Sequence, residues 1–439
     1  MYIRGIKRSI GFMVFSLLLL GACQEAVIID SGFSEGNASA MGFGKEDRIR
    51  IDHLPPGFPS AQDLAVIYPL ATEVGIRGDL MTDNGRFLLP PVWVDNVSDA
   101  YADTDVGNAL ETENVYEDWR VVALRFVPCG PLGIRPDQDI QRLCWPQVRL
   151  VWQPVVKNVR VNNVVREFYA DDRAIHALYH VSPEGTASEP LLQEMRQFLG
   201  QGGNPNTLDR EFVKAFIARR NIAITRLIKG VADLRASGSL MSSMEDINIR
   251  AELNTDDIFV SDGFQQRLSD LLGALCEPEN LFELTSFSLP EGRAPALLNL
   301  WVFVAFNGSQ GQLVQKPIQV IGRDSGFVIG HAGMDEAVGM TITPDPELLE
   351  GLDDPQFAEE LEASVPFERA DLDRLDAVIN DPNKTLVPNT VCSGCHSYNP
   401  IRFDFHALSH MEHREATVAP RVNADVANDL LWLRQALGQ

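Results

Sequence analysis

The sequence predicts an α+β domain of unassigned topology followed by a small, mainly α-helical terminal module. Strand-like apolar runs and runs with helical periodicity are mixed through residues 51–364. After residue 365 two amphipathic helical stretches bracket a short cysteine-containing segment. The 439 residues leave room for two or three domains of roughly 100–200 residues each. A content of 45% hydrophobic and 22% charged residues is that of a globular chain.

The first element is an export signal over residues 1–22. Arg4, Lys7 and Arg8 form a basic start, and Ile10 to Leu20 is apolar apart from Gly11 and Ser16. That run is too short to span roughly 30 Å of hydrocarbon as a helix, so it has the character of a removable signal. Loss of residues 1–22 removes three cations and no acid, taking the formal net charge from −24 to −27. A surface this acidic repels nucleic acid and anionic lipid head groups, which argues against both as partners.

The run Leu20-Gly21-Ala22-Cys23 resembles the lipobox of bacterial lipoproteins. The resemblance implies cleavage before Cys23, lipid on its thiol and new N-terminus, and a membrane reached through that anchor. Gln24, where aspartate would retain a lipoprotein at the inner membrane, implies the outer membrane, facing the periplasm or the cell surface. Residues 23–50, rich in Gly, Ser, Ala and Asn, are expected to tether the lipid to the folded part. No later stretch has about 18 consecutive apolar residues.

The α+β domain is expected over 51–364, with a break near 190–240 dividing it into two subdomains. Residues 51–120 look loop-rich, with Pro55-Pro56, Pro59 and Pro90-Pro91 as punctuation. Strands follow at Trp119–Val127, Val148–Val156 and Ala174–Val181. Helices are expected over Leu191–Leu199, Leu208–Leu234 and Phe264–Cys276. Leu298–Phe306 and Leu313–Ile321 form a hairpin pattern around a loop at 307–311, and 322–364 looks like irregular connection. Cys129 and Cys144 flank the first two strands. As a pair in an oxidising compartment they would close a loop contributing roughly 3 kcal/mol. Cys276, in the apolar-periodic run from Phe264, is expected to be a buried free thiol. His176 and His180 fall in a strand-like run rather than on a helix, which disfavours a metal pair, and His331 sits in an apparent glycine-rich loop.

The terminal module, 365–439, carries the chemistry. A helix from Ala370 to Ile379 precedes Cys392-Ser393-Gly394-Cys395-His396, and a second helix is expected from Ala424 to Leu437 with Asn423 as its N-cap. Thiols three residues apart can add to the two vinyl groups on one porphyrin edge, which places the next histidine under the iron. Here the chain resembles c-type cytochromes, so the module is expected to be cytochrome c-like with one haem c. The resemblance implies Cys392 and Cys395 as its covalent attachments and His396 as the proximal iron ligand. Four of the chain's eight histidines, His396, His406, His410 and His413, fall near the end together with Met411. His406, beside Phe403 and Phe405, is the first candidate for the distal ligand and Met411 the alternative. The alternative cofactor is zinc, because Cys392-x2-Cys395 with His406-x3-His410 approximates a Cys₂His₂ site.

Small soluble cytochromes c run their first helix almost directly into the motif. Here about a dozen residues intervene and only 44 follow Cys395, which implies an abbreviated module that leans on the larger domain for cover. The chain also resembles uncharacterised bacterial envelope lipoproteins with a C-terminal haem motif, a likeness that implies no activity. The expected role is one-electron transfer with a redox partner protein rather than catalysis. The alternatives are an envelope binding or structural lipoprotein with a sensing or structural haem, and a peroxidase-like enzyme.

Overall fold

In the computed structural model the described residues are 49–341 with interruptions, the pairs Leu408–Ser409 and Thr417–Val418, and 420–438. Their centre is a nine-stranded sheet in which every pairing is antiparallel. A seven-strand path runs β1 (Ala65–Ile67), β2 (Trp119–Pro131), β3 (Cys144–Val159), β5 (Ala174–His180), β6 (Leu281–Ser288), β7 (Asn299–Ser309) and β11 (Val328–Ala332). Off this path β4 (Val165–Ala170) pairs with β3 and β8 (Gln312–Lys316) with β7. The architecture is mixed α and β, as the sequence predicts.

Alternation along the strands makes the two faces of the sheet chemically different. Leu124 and Phe126 on β2, Val148, Leu150 and Trp152 on β3, and Ile175, Ala177 and Tyr179 on β5 share one face and are all buried. The long helix α4 (Arg210–Ser237) packs on β2 and β3 and contributes Phe216, Ala223, Leu227 and Ile228 to the same core. Its start is set by Asp209, whose carboxylate accepts hydrogen bonds from the backbone N–H of Glu211 and Phe212 at 2.9 and 3.0 Å. Helices α3 (Pro190–Gly200) and α5 (Asp262–Leu275) pack against α4. The one-turn helix α1 (Ala61–Leu64) is joined to the far end of α4 by a buried ion pair, Arg235 to Asp63 at 2.7 Å. Apolar residues from Ile49 to Ala436 belong to a single core cluster.

Four local expectations are corrected. The Pro90-Pro91 stretch opens helix α2 (Pro91–Ala102), because proline fits the first helical position, where the amide N–H has no partner anyway. The β7–β8 hairpin closes through two residues, Gln310 and Gly311, with φ of 50° and 79°, the left-handed pair that matches strand twist. Gly308, expected in the loop, is paired within β7, where a Cβ would lie 2.0 Å from the Leu281 carbonyl oxygen. Residues 322–341, expected to be irregular, supply β10 (Arg323–Ser325), β11 and β12 (Met340–Thr341), and β9 (Ile318–Val320) is flanked by β10 and β12 in a separate three-stranded sheet. His331 therefore stands at a strand position opposite Leu300 rather than in a loop.

From the terminal module the described parts are a two-stranded ribbon, β13 (Leu408–Ser409) with β14 (Thr417–Val418), and the helix α6 (Pro420–Leu437). The helix begins at Pro420, so Asn423 is an exposed residue inside it rather than its cap. Among the described residues no helix is long and apolar enough to cross a membrane.

Candidate functional site

The haem motif Cys392, Cys395 and His396, the distal candidates His406 and Met411, the lipidation candidate Cys23 and the helix expected at 370–379 lie outside the described residues. Cys129 and Cys144 are joined in a disulfide, with Cα atoms 5.0 Å apart, near the end of β2 and at the start of β3. It ties together the two strands whose pairing runs on from Pro131 opposite Cys144. Cys276 is a buried free thiol just beyond α5, and burial together with Glu277 pushes its ionisation well up. A thiol held neutral in this way is a packing residue rather than a nucleophile.

The described end of the terminal module meets the sheet on its second, polar face. Helix α6 and ribbon strand β13 both lie against β2, and β13 also reaches β3. The helix turns its apolar stripe inward, with Val422, Val426, Leu433 and Ala436 buried. Its Ala436 carbonyl accepts from the Ile49 amide at 3.0 Å. That stripe is therefore packed on the α+β domain.

A charged cluster fixes this contact. Arg125 projects from β2, only 6% exposed, and donates from Nη1 to Asp425 at 3.0 Å and from Nη2 to Asp429 at 2.9 Å. Arg421, one turn earlier on α6, donates from Nε to the other oxygen of Asp425 at 3.0 Å. Arg149, directly opposite Arg125 in the β2–β3 register, donates from Nη2 to Gln147 at 3.1 Å. Like charges directly opposed across a ladder repel, and ionised Asp425 offsets that repulsion. Burial opposes ionisation of Asp425, yet Arg125, Arg421 and Arg149 together hold its carboxyl below the usual range. For Asp429 burial wins over Arg125, the nearby Asp425 adds to the rise, and its carboxyl is pushed up to about 7.

His176 and His180 lie in β5, in a strand as expected, and share this polar face with Arg149. His180 stands opposite Gln147. Its ring stacks on Phe282 at 4.6 Å, and the Arg196 guanidinium covers that phenyl ring at 3.8 Å. Burial first, then Arg149, pushes His176 down to about 4, and burial with Arg196 and Arg149 pushes His180 well down. Both imidazoles are therefore neutral near pH 7.

The chain matches no known protein family, no characterised protein and no solved structure.

What the sequence reading missed is this second face. Arg125 and Arg149 interrupt apolar strand runs, and Asp425 and Asp429 are four residues apart on a helix. That spacing puts both acids on one side, but it does not name a partner 300 residues away.

Proposed function

We propose that this chain is a membrane-tethered c-type haem protein of the cell envelope that takes part in one-electron transfer. The observation that carries the reading is Cys392-Ser393-Gly394-Cys395-His396, whose two thiols and histidine are the donor set that covalent haem needs at that spacing. In this reading Cys392 and Cys395 form the thioethers, His396 is the proximal iron ligand, His406 the distal ligand with Met411 as its alternative, and Cys23 carries the lipid. Bound haem supplies an iron that cycles between two oxidation states. The chain's own residues have to hold it and keep water from it. The Cys129–Cys144 disulfide supports export, because such bonds persist in oxidising compartments, where free Cys392 and Cys395 thiols would otherwise oxidise. The docking of α6 supports a short haem module that borrows cover from the larger domain.

Protein produced with haem-maturation machinery is expected to give a c-type α-band in pyridine haemochrome. Absence of that band, with zinc bound instead, would sink the reading. With haem present, His406→Ala is expected to turn a low-spin spectrum high-spin; an unchanged spectrum moves the distal assignment to Met411 or His410. Reversible one-electron voltammetry without peroxide turnover separates electron transfer from a peroxidase-like activity.

A further inference from the structure

Among the described residues at the α6 contact, three guanidinium groups, those of Arg125, Arg149 and Arg421, stand against two carboxylates. Arg125 donates to both Asp425 and Asp429, and Arg421 donates to Asp425. Arg149 is left with the neutral Gln147 Oε1 at 3.1 Å, and among the described residues no acceptor reaches its buried Nε. His180 is 6% exposed, and its buried Nε2 likewise meets no hydrogen-bond partner among the described residues. The two groups are joined through Gln147, which stands directly across the ladder from His180 and accepts from Arg149. Gln147 is 1% exposed and lies over Gly130, where an added Cβ would come within 2.1 Å of its amide carbon. The carboxamide is therefore held in place. These are unfilled hydrogen-bonding positions on a rigid, largely desolvated surface, and Arg149 shares Asp425 and Asp429 at a distance with Arg125 and Arg421 without a carboxylate bond of its own among the described residues. Buried charges of this kind are ordinarily paired.

We propose that Arg149, flanked by His180, receives one carboxylate. Arg149 supplies the charge and its free Nε–H, and His180 in the tautomer protonated at Nε2 supplies a second donor. Two sources carry that chemistry, a propionate of the protein's own haem or a dissociated carboxylate ion. The propionate is the better match, an assignment that rests on the haem reading above. Leu408–Ser409 lies against β2 and β3, the strands of the Arg125–Arg149 pair. The candidate distal ligands His406 and Met411 are each two residues from that ribbon strand, a contour of about 7 Å.

The test uses the full-length holoprotein as wild type, R149Q and R149K, with spectroelectrochemical titration across neutral pH and thermal unfolding with and without sodium acetate. A cation beside a propionate favours the reduced iron, because oxidation adds positive charge nearby. If the source is the propionate, R149Q lowers the midpoint potential and raises the redox-linked protonation pKa. R149K restores most of both, and acetate leaves the melting temperature unchanged. If the source is a dissociated ion, acetate raises the melting temperature of wild type but not of R149Q, and the potentials coincide. Potentials and acetate responses that are the same in wild type and R149Q overturn the site. The acetate arm needs no haem, so protein lacking a haemochrome band fails the haem reading while leaving the carboxylate site open to the same measurement.

Discussion

Asp429→Asn removes one charge from the α6 cluster while keeping an oxygen acceptor for Arg125 in nearly the same shape. Asp429 is pushed up to about 7 in the folded protein, against about 3.9 in an unfolded chain. Between those values the folded state binds its proton more tightly than the unfolded state does. Stability on this group is therefore fully present below about pH 4, falls as pH rises towards about 7 and stays reduced above it. A separation of about three units corresponds to about 4 kcal/mol as an upper bound, and partial solvent contact brings the expectation to about 2–3 kcal/mol. Asp425 works in the opposite sense, since its depressed carboxyl loses stability only as pH falls below about 4, so the two windows do not overlap. Asparagine cannot ionise. The variant should match wild type near pH 4 and exceed it by about 2–3 kcal/mol near pH 8. Urea unfolding followed by tryptophan fluorescence, with Trp145 and Trp152 fully buried on β3, reads the difference directly. Two results would refute the reasoning: a difference that does not change with pH, or a variant that loses stability near pH 8. The second would mean that the Arg125 ion pair at 2.9 Å outweighs burial.

Replacing Cys129 and Cys144 together by serine opens a bridge spanning 15 residues and should lower stability by about 3 kcal/mol, with reducing agent having no further effect on the variant's urea midpoint. Arg235→Ala leaves Asp63, with a side chain 1% exposed, without its cation and should cost about 3–5 kcal/mol, whereas R235M with D63L should recover much of that loss in the same assay. Cys276 should resist maleimide in the native protein and react only in unfolding conditions; rapid native labelling would contradict its placement.

The strands flanking the disulfide were legible because β-branched, aromatic and aliphatic residues crowd short runs around Leu124, Phe126, Val148 and Leu150. Helix α4 was legible from its period, since Phe216, Ala223 and Leu227 recur on one face. Gly308 was not legible. Between Asn307 and Ser309 it has the composition of a turn, and only the approach of the Leu281 carbonyl explains the missing side chain. The Arg125 cluster was hidden for a deeper reason. Periodicity reports which face of an element is apolar, but a charged residue on the other face looks the same whether it meets water or a buried partner. Arg125, Arg149, Asp425 and Asp429 become a site only when topology brings β2, β3 and α6 together.

That convergence bears on the terminal module as a unit. Helix α6 commits both its apolar stripe and its acids to the α+β domain, leaving little of its surface to build a separate core. Fewer than 80 residues carry only a marginal core unaided. A cofactor in residues 365–439 therefore needs walls from elsewhere. The polar face of the sheet carries neutral imidazoles, a phenyl ring capped by a guanidinium and Arg149, whose Nε meets no acceptor among the described residues, on strands that the ribbon also touches.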